Sequence, residues 1–162
     1  MANTLDVQEM LPQQFEPLAK RRFILAIEGI DSFLIKTAAR PQITTEEIAI
    51  PWINSTRYVP GRTTFGEMAV TLHDPIAPSA AQEVMEWSRL CFESVSGRAG
   101  YTDFVKRDIQ IKMLDPIGSV VQLFEIKGAF IKEANFGELT YEGSELAEIS
   151  LTIRYDNFVL LY

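Results

Sequence analysis

The sequence has one cysteine, Cys91, and one histidine, His73. A single thiol permits no internal disulfide and no cysteine-rich zinc site. A single imidazole excludes metal centres built from several histidines. No apolar run approaches the ~20 residues that a membrane-spanning helix needs. The opening stretch MANTLDVQEMLPQQFEPLAK carries acids and lacks the apolar segment of a secretory leader. The expectation is a protein made and used in a reducing compartment, without the secretory route. Cations are scarce as well: 15 Lys and Arg against 22 Asp and Glu leave a net charge of −7, and only Lys20-Arg21-Arg22 cluster. Proteins that grip DNA neutralise phosphates with grouped cations, so the charge argues against a nucleic-acid-gripping surface. An acidic protein can still handle DNA by not adhering to it. Repeats and low-complexity tracts are absent.

What is present suits one ordinary domain. The chain has 162 residues, 47% hydrophobic and 23% charged, close to the globular average. At that length folding buries roughly 70% of the surface the unfolded chain exposes. Residues 1–19 are polar and broken by Pro12 and Pro17, and read as an N-terminal arm. Residues 20–162 read as a single β domain. In RRFILAIEG (21–29), Phe23, Leu25 and Ile27 share a face, and with IDSFLIKTAA this segment suggests a hairpin. Residues 40–63 read as an extended loop, because Pro41, Pro51 and Pro60 punctuate short β-branched pieces and proline belongs at sheet edges or in loops. Connections of that length are often functional.

From Thr64 to His73 the side chains alternate. Met68, Val70 and Leu72 fall on one side and Glu67, Thr71 and His73 on the other. A helix is predicted from Ser79 to about Val95, with Ser79 and Gln82 as a capping box. Its stripe of Ala80, Val84, Trp87, Cys91 and Val95 makes Cys91 a small buried hydrophobe, not a reactive thiol. FVKRDIQIKMLD and SVVQLFEIKGAFIKEA form a second hairpin about Asp115–Gly118. Arg107 alone breaks the alternation of its first strand. LAEISLTIRYDNFVLLY closes the chain as one long strand, with Ile149, Leu151, Ile153 and Tyr155 facing in and Glu148, Ser150, Thr152 and Arg154 facing out. The fold class is mainly β, six or seven antiparallel strands with one helix.

Catalytic chemistry finds no support. His73 and Asp74 are adjacent, and adjacent strand side chains diverge. Glu46-Glu47 reads as solvated loop. Gly97-Arg98-Ala99-Gly100 follows a helix, whereas a phosphate-cradling loop precedes one. The reading is a non-enzyme with no cofactor and no metal. The polar strand faces remain: Glu67 and Thr71; Asp108, Gln110 and Lys112; Glu148, Ser150 and Thr152. An ordinary solvent-facing sheet has the same pattern.

The order of these parts resembles the tail tube proteins of contractile-tailed bacteriophages, a family shared with the tubes of contractile injection and secretion systems. The resemblance is carried by RRFILAIEGIDSF, ARPQITTEEIAIPWINSTRYVPGR, TTFGEMAVTLHDP, VMEWSRL, FEIKGAFIKEANFGEL and EISLTIRYDNF, and covers residues 20 to 162. It implies a β-sandwich or half-barrel with one flanking helix, whose sheets join copy to copy into a large barrel within a hexameric ring. Stacked rings would form a hollow tube through which the genome is ejected during tail contraction. Implied partners are further copies of the chain, sheath subunits outside, baseplate and terminator proteins at the ends, and tape measure protein and DNA transiently in the lumen, with no membrane. The implied location is the virion tail, assembled in the host cytoplasm. Glu67, Thr71, Asp108, Gln110, Lys112 and Glu148 would line the lumen, the acids repelling phosphate and Lys112 partly offsetting them. Residues 40–63 would reach a neighbour, with Trp52, Ile53, Tyr58, Phe158 and Leu160 at contacts between subunits. Alternatives are an injection- or secretion-system tube subunit, a tail tube initiator, a small-ligand-binding β-barrel module, and a hydrolase acting through His73.

Overall fold

The protein is described here by a computed structural model covering residues 15–162. Most of the expected N-terminal arm lies outside these described residues. The strands are β1 (Phe23–Ile27), β2 (Ile35–Ala38), β3 (Ile43–Trp52), β4 (Ser55–Phe65), β5 (Glu67–His73), β6 (Arg107–Leu114), β7 (Val120–Asn135), β8 (Glu148–Arg154) and β9 (Asn157–Leu160). The helices are α1 (Ala80–Cys91) and the one-turn α2 (Thr102–Val105). All pairings are antiparallel, in the order β1-β6-β7-β8-β5-β2, with β9 also on β7. Strands β3 and β4 form a separate two-stranded ribbon. The sheet does not close on itself: β1 and β2 are its two ends.

The 16-residue β7 is the spine. Its first half pairs with β6, and its second half pairs with β8. β9 continues the ladder begun by β8, so Lys127 faces Asn157 and Phe130 faces Arg154. The bend in β7 lies at Gly128, at φ +67°, where a Cβ would overlap the Asp156 carboxylate. That carboxylate pairs with Lys106, and the Gly128 N–H donates to Asp108 at 3.4 Å. A glycine in the left-handed region beside a register shift is the device that bends a strand and raises its twist. The two sheet halves can thereby enclose one core. Leu25, Ile111, Ile126, Leu151 and Val70, one from each of five strands, join Val84 and Trp87 of α1 in a single apolar cluster. This core matches the alternation expected of Met68, Val70 and Leu72 and of Ile149, Leu151, Ile153 and Tyr155, all buried.

Arg107, the residue that breaks its strand's alternation, reaches across this core's rim. Its guanidinium lies 4.9 Å from the Trp87 ring centroid, and Nη1 donates to the Glu28 carbonyl. Trp87 Nε1 in turn donates to the Val105 carbonyl at 2.8 Å. Partial burial lowers the Arg107 pKa, with Glu28 and Glu86 opposing that shift. The irregular residue therefore fastens α1 to the turn after β1.

Five expectations need correction. Strands β1 and β2 do not form a hairpin with each other; β1 pairs with β6 and β2 with β5. A 3-10 turn at Ser32–Leu34 carries the chain from one sheet half to the other. Residues 40–63 are a regular hairpin, not an extended loop: Pro51 and Pro60 are tolerated because each strand of a lone ribbon has an open edge. The terminal segment is two strands broken at Tyr155-Asp156, since one side of the break must follow the corner at Gly128. The helix stops at Cys91, short of Val95, and leaves Cys91 exposed. The Gly100 backbone folds back there, its N–H donating to the Cys91 carbonyl at 3.0 Å. Nor does Ser79 cap the helix through its side chain; Asp74 Oδ1 accepts from the Ala81 N–H at 3.3 Å instead.

Substituting Gly128→Ala should cost about 1–3 kcal/mol, from a strained backbone conformation and the encroachment on Asp156. Urea unfolding would show it as a lowered midpoint at unchanged slope.

Candidate assembly surfaces

The β3–β4 hairpin grows out of the body in one register. Ala38 faces Val70 and Ile43 faces Phe65, five residues onward on one strand and five back on the other. The β2–β5 pair and the hairpin are therefore one ribbon. Its pairing lapses at Arg40-Pro41, where proline offers no N–H. Beyond that joint, ten residues of strand project about 33 Å at ~3.3 Å per residue. Every residue of β3 is exposed. One face of the ribbon nonetheless carries an apolar row along β3: Ile48 opposite Val59, then Ile50 opposite Arg57, then Trp52, which is 72% exposed, opposite Ser55. An isolated two-stranded ribbon is marginal in water, and this row of exposed apolar side chains makes the hairpin a candidate contact surface.

Three of the expected interface residues, Trp52, Ile53 and Tyr58, lie on this hairpin. Trp52 ends the apolar row, Ile53 occupies the turn, and Tyr58 projects from the reverse face opposite Ala49. Ile53 is the one described non-glycine residue with positive φ, +50°, and is 86% exposed. A β-branched side chain is retained where glycine or asparagine would be relaxed. Ile48, Ile50 and Val59 were missed as candidates, although their alternation with Trp52 is visible once the segment is read as strand. Phe158 is placed differently. It is partly buried within its own chain, with ring centroids 5.5 Å from Phe65, 6.2 Å from Tyr155 and 6.3 Å from Phe124. Leu160, paired with Phe124, is half exposed.

The polar candidates divide into two sets. Glu67, Thr71 and Glu148 gather on the outer face of β5 and β8, through the pairs Glu67–Arg154, Thr71–Ser150 and His73–Glu148. Asp108, Gln110 and Lys112 lie on β6, which borders the opposite edge of β7. Gln110 there faces Glu125, and Lys112 sits between Ile24 and Leu123. The β5–β8 patch is less acidic than its glutamates suggest. Glu67 pairs with Lys132 and, at 3.7 Å, with Arg154, while Glu148 pairs with Lys36. The Lys132 hydrogen bond, with smaller help from the charges of Lys132 and Arg154, lowers the Glu67 pKa.

His73 lies beside this patch, in a cavity of about 730 Å³ with Lys36, Glu138 and Glu148. Asp74 is engaged by the Ala81 N–H and does not orient it. Among the described residues no group of three His, Cys, Asp or Glu could hold a metal, and no helix is long and apolar enough to cross a membrane. The seam between the free ends β1 and β2 holds a further cavity of about 510 Å³, floored by Phe23, Ile111 and Met113 and flanked by Lys20 and Arg40.

The fold is shared with known proteins. A subunit of the anti-feeding prophage tube-terminating cap matches at TM-score 0.74 and 18% identity, covering 99% of this chain and 98% of that one. A subunit of the sheath-tube complex of an extracellular contractile injection system, PVC, matches at TM-score 0.70 and 13% identity, covering 97% and 98%. The sheath/tube terminator of the same kind of system matches at 0.72 and 14%, covering 91% and 99%. The fold is thus that of tube-type components of contractile particles. The family profile of the T4-like virus tail tube protein gp19 matches residues 20–159, and the chain belongs to that family. A search of curated protein sequences finds no match.

The lowered Glu67 pKa fixes a sign. Stability from its ion pairs is fully present above the unfolded carboxyl value of ~4.3 and is lost as pH falls through the lower folded value. Glu67→Gln should therefore lower the urea midpoint at neutral pH, and the difference from wild type should shrink as pH falls below the unfolded carboxyl value.

Proposed function

We propose that copies of this chain join side by side into hexameric rings that stack into a hollow tail tube. The observation that carries this reading is the pair of open sheet ends, β1 and β2, together with an apolar hairpin face left uncovered. An unpaired strand edge is a row of donors and acceptors that pairs readily with another strand. Pairing around a ring removes the edges and makes a wide barrel. The hairpin then lays Ile48, Ile50 and Trp52 on the neighbouring subunit or ring. Family membership supports a structural and non-catalytic role in a phage tail or a related contractile particle. The partners of the resembling particles support sheath outside and baseplate or terminator proteins at the ends.

In this arrangement the β5–β8 patch faces the bore, where the genome, or a protein cargo in an injection system, passes. Its cations Lys36, Lys132 and Arg154 are each held by a glutamate. A passing phosphate therefore meets no free cation cluster. At physiological salt these charges act only within ~8 Å of the wall, so the lining resists sticking and does not drive transport. The likeness to a tube-terminating cap supports a second reading, a ring that ends a tube.

Negative-stain electron microscopy of the purified protein separates these readings. Tubes of many rings are expected, single rings would favour the cap, and monomers at every concentration would sink both. Trp52→Ala should leave the monomer folded and, at a hot-spot cost of about 2 kcal/mol, weaken assembly roughly 30-fold by sedimentation. Glu67→Lys with Glu148→Lys should leave tubes intact and slow DNA ejection. Ejection at the wild-type rate removes those two positions from the lining.

A further inference from the structure

The ribbon that carries the apolar face has a weak point at its root. Between Ala39, whose N–H donates to the Ala69 carbonyl at 2.8 Å, and Gln42, whose carbonyl accepts from the Gly66 N–H at 2.9 Å, two positions pass without a cross-strand bond. One of them is Pro41, which has no N–H to give. On the partner strand the same level is marked by Gly66, the single residue between β4 and β5. A Cβ at Gly66 would meet Gln42 at 3.3 Å, so the two strands are also drawn close here. Proline on one strand and glycine on the other make a place where a two-stranded ribbon bends easily.

One side chain from the core spans this place. Tyr155 is 2% exposed, at the break between β8 and β9. Its hydroxyl oxygen accepts from the Gln42 N–H at 2.8 Å, and the hydroxyl also donates to the Gln42 carbonyl at 3.2 Å. Both backbone groups of the residue just before the hairpin are thus tied to a phenol rooted in the body. The Tyr155 ring packs edge-on to Phe158 at 6.2 Å, and Phe158 packs edge-on to Phe65, the last residue of the hairpin, at 5.5 Å. The hairpin root is therefore held on both strands by neighbouring aromatics of the terminal segment. Beyond the root, the only hairpin residues that are not exposed are Gly61 and Phe65.

We propose that Tyr155 is a positioning residue for assembly, clamping the Pro41/Gly66 joint so that the hairpin leaves the body at one fixed angle. A 33 Å arm, by the ~3.3 Å rise per residue, turns a small change of angle at its root into a displacement of several ångströms at Trp52. An unclamped hairpin must lose that freedom when it docks, and association weakens accordingly. This inference rests on the hairpin being an assembly contact.

Tyr155→Phe removes one oxygen and keeps the ring. Amide hydrogen exchange, read at Gly66 and Phe65 rather than at Gln42 itself, should accelerate about tenfold or more, while the amides of Val70 and Leu151 stay within about twofold of wild type. Tube yield by sedimentation should fall several-fold at an almost unchanged urea midpoint. Phe65→Leu, which loosens the second anchor, should reproduce both effects and serves if the first variant folds poorly. Wild-type exchange at Gly66 in both variants overturns the clamp, as does faster exchange with wild-type assembly. The Trp52→Ala control separates this from the underlying reading: if that variant, or the wild-type chain, shows no hairpin-dependent assembly, the contact itself is rejected, and the exchange data still decide whether Tyr155 holds the joint.

Discussion

Backbone groups at a strand edge need partners, and this chain supplies too few of its own. Strands β1 and β2 end the sheet with one neighbour each. Strands β3 and β4 have only each other. The rest of the architecture follows from carrying these edges on a body rigid enough to present them. The 16-residue β7, bent at Gly128, lets two sheet halves share one core without closing. A closed barrel of the same strands would bury the edges and leave the subunit nothing to join with. The open form keeps the fold and leaves those last pairings unmade within the chain.

The body and the arm differ in how they are stabilised. Body strands hold one another through a common apolar cluster, sealed at one rim by Arg107 over Trp87. The hairpin has no core. Its order comes from its own ladder and from a root gripped by Tyr155 and Phe158. A segment with few buried contacts opens locally at low cost, and the hairpin is such a segment. The grip on its root also explains why Phe158, an attractive exposed aromatic on paper, is occupied within its own chain. The outer face of β5 and β8 shows the same economy of charge. Glu148 holds Lys36, and Glu67 is shared between Lys132 and Arg154, so each of these charges has a partner on the surface itself.

Much of the body was legible in the residues. Period-two alternation assigned the buried sides of β5, β6 and β8, and Asp115–Gly118 marked the β6–β7 turn. The ordered set of segments from residue 20 onward pointed to the tube family. The hairpin was not legible as such, because prolines normally argue against strands, and only an unsupported ribbon with open edges accommodates Pro51 and Pro60 so readily. Cys91 was misassigned because helical spacing predicts a stripe but not where the helix ends. The capping acceptor was Asp74 in place of Ser79, since either oxygen can reach the first turn and only the chain's path selects one.

The sequence alone determined which side of each body strand is apolar, that the chain is mostly β, and that catalytic groups are sparse. Those properties depend on local periodicity and residue type. Tertiary structure alone decided that β1 joins β6 and β2 joins β5, that Glu67 and Glu148 are matched by Lys132 and Lys36, and that a tyrosine from the last strands grips a hairpin more than a hundred residues earlier. Each of these is a meeting of segments distant along the chain. Alternation records the face a residue turns to the core, but not which strand lies beside it there.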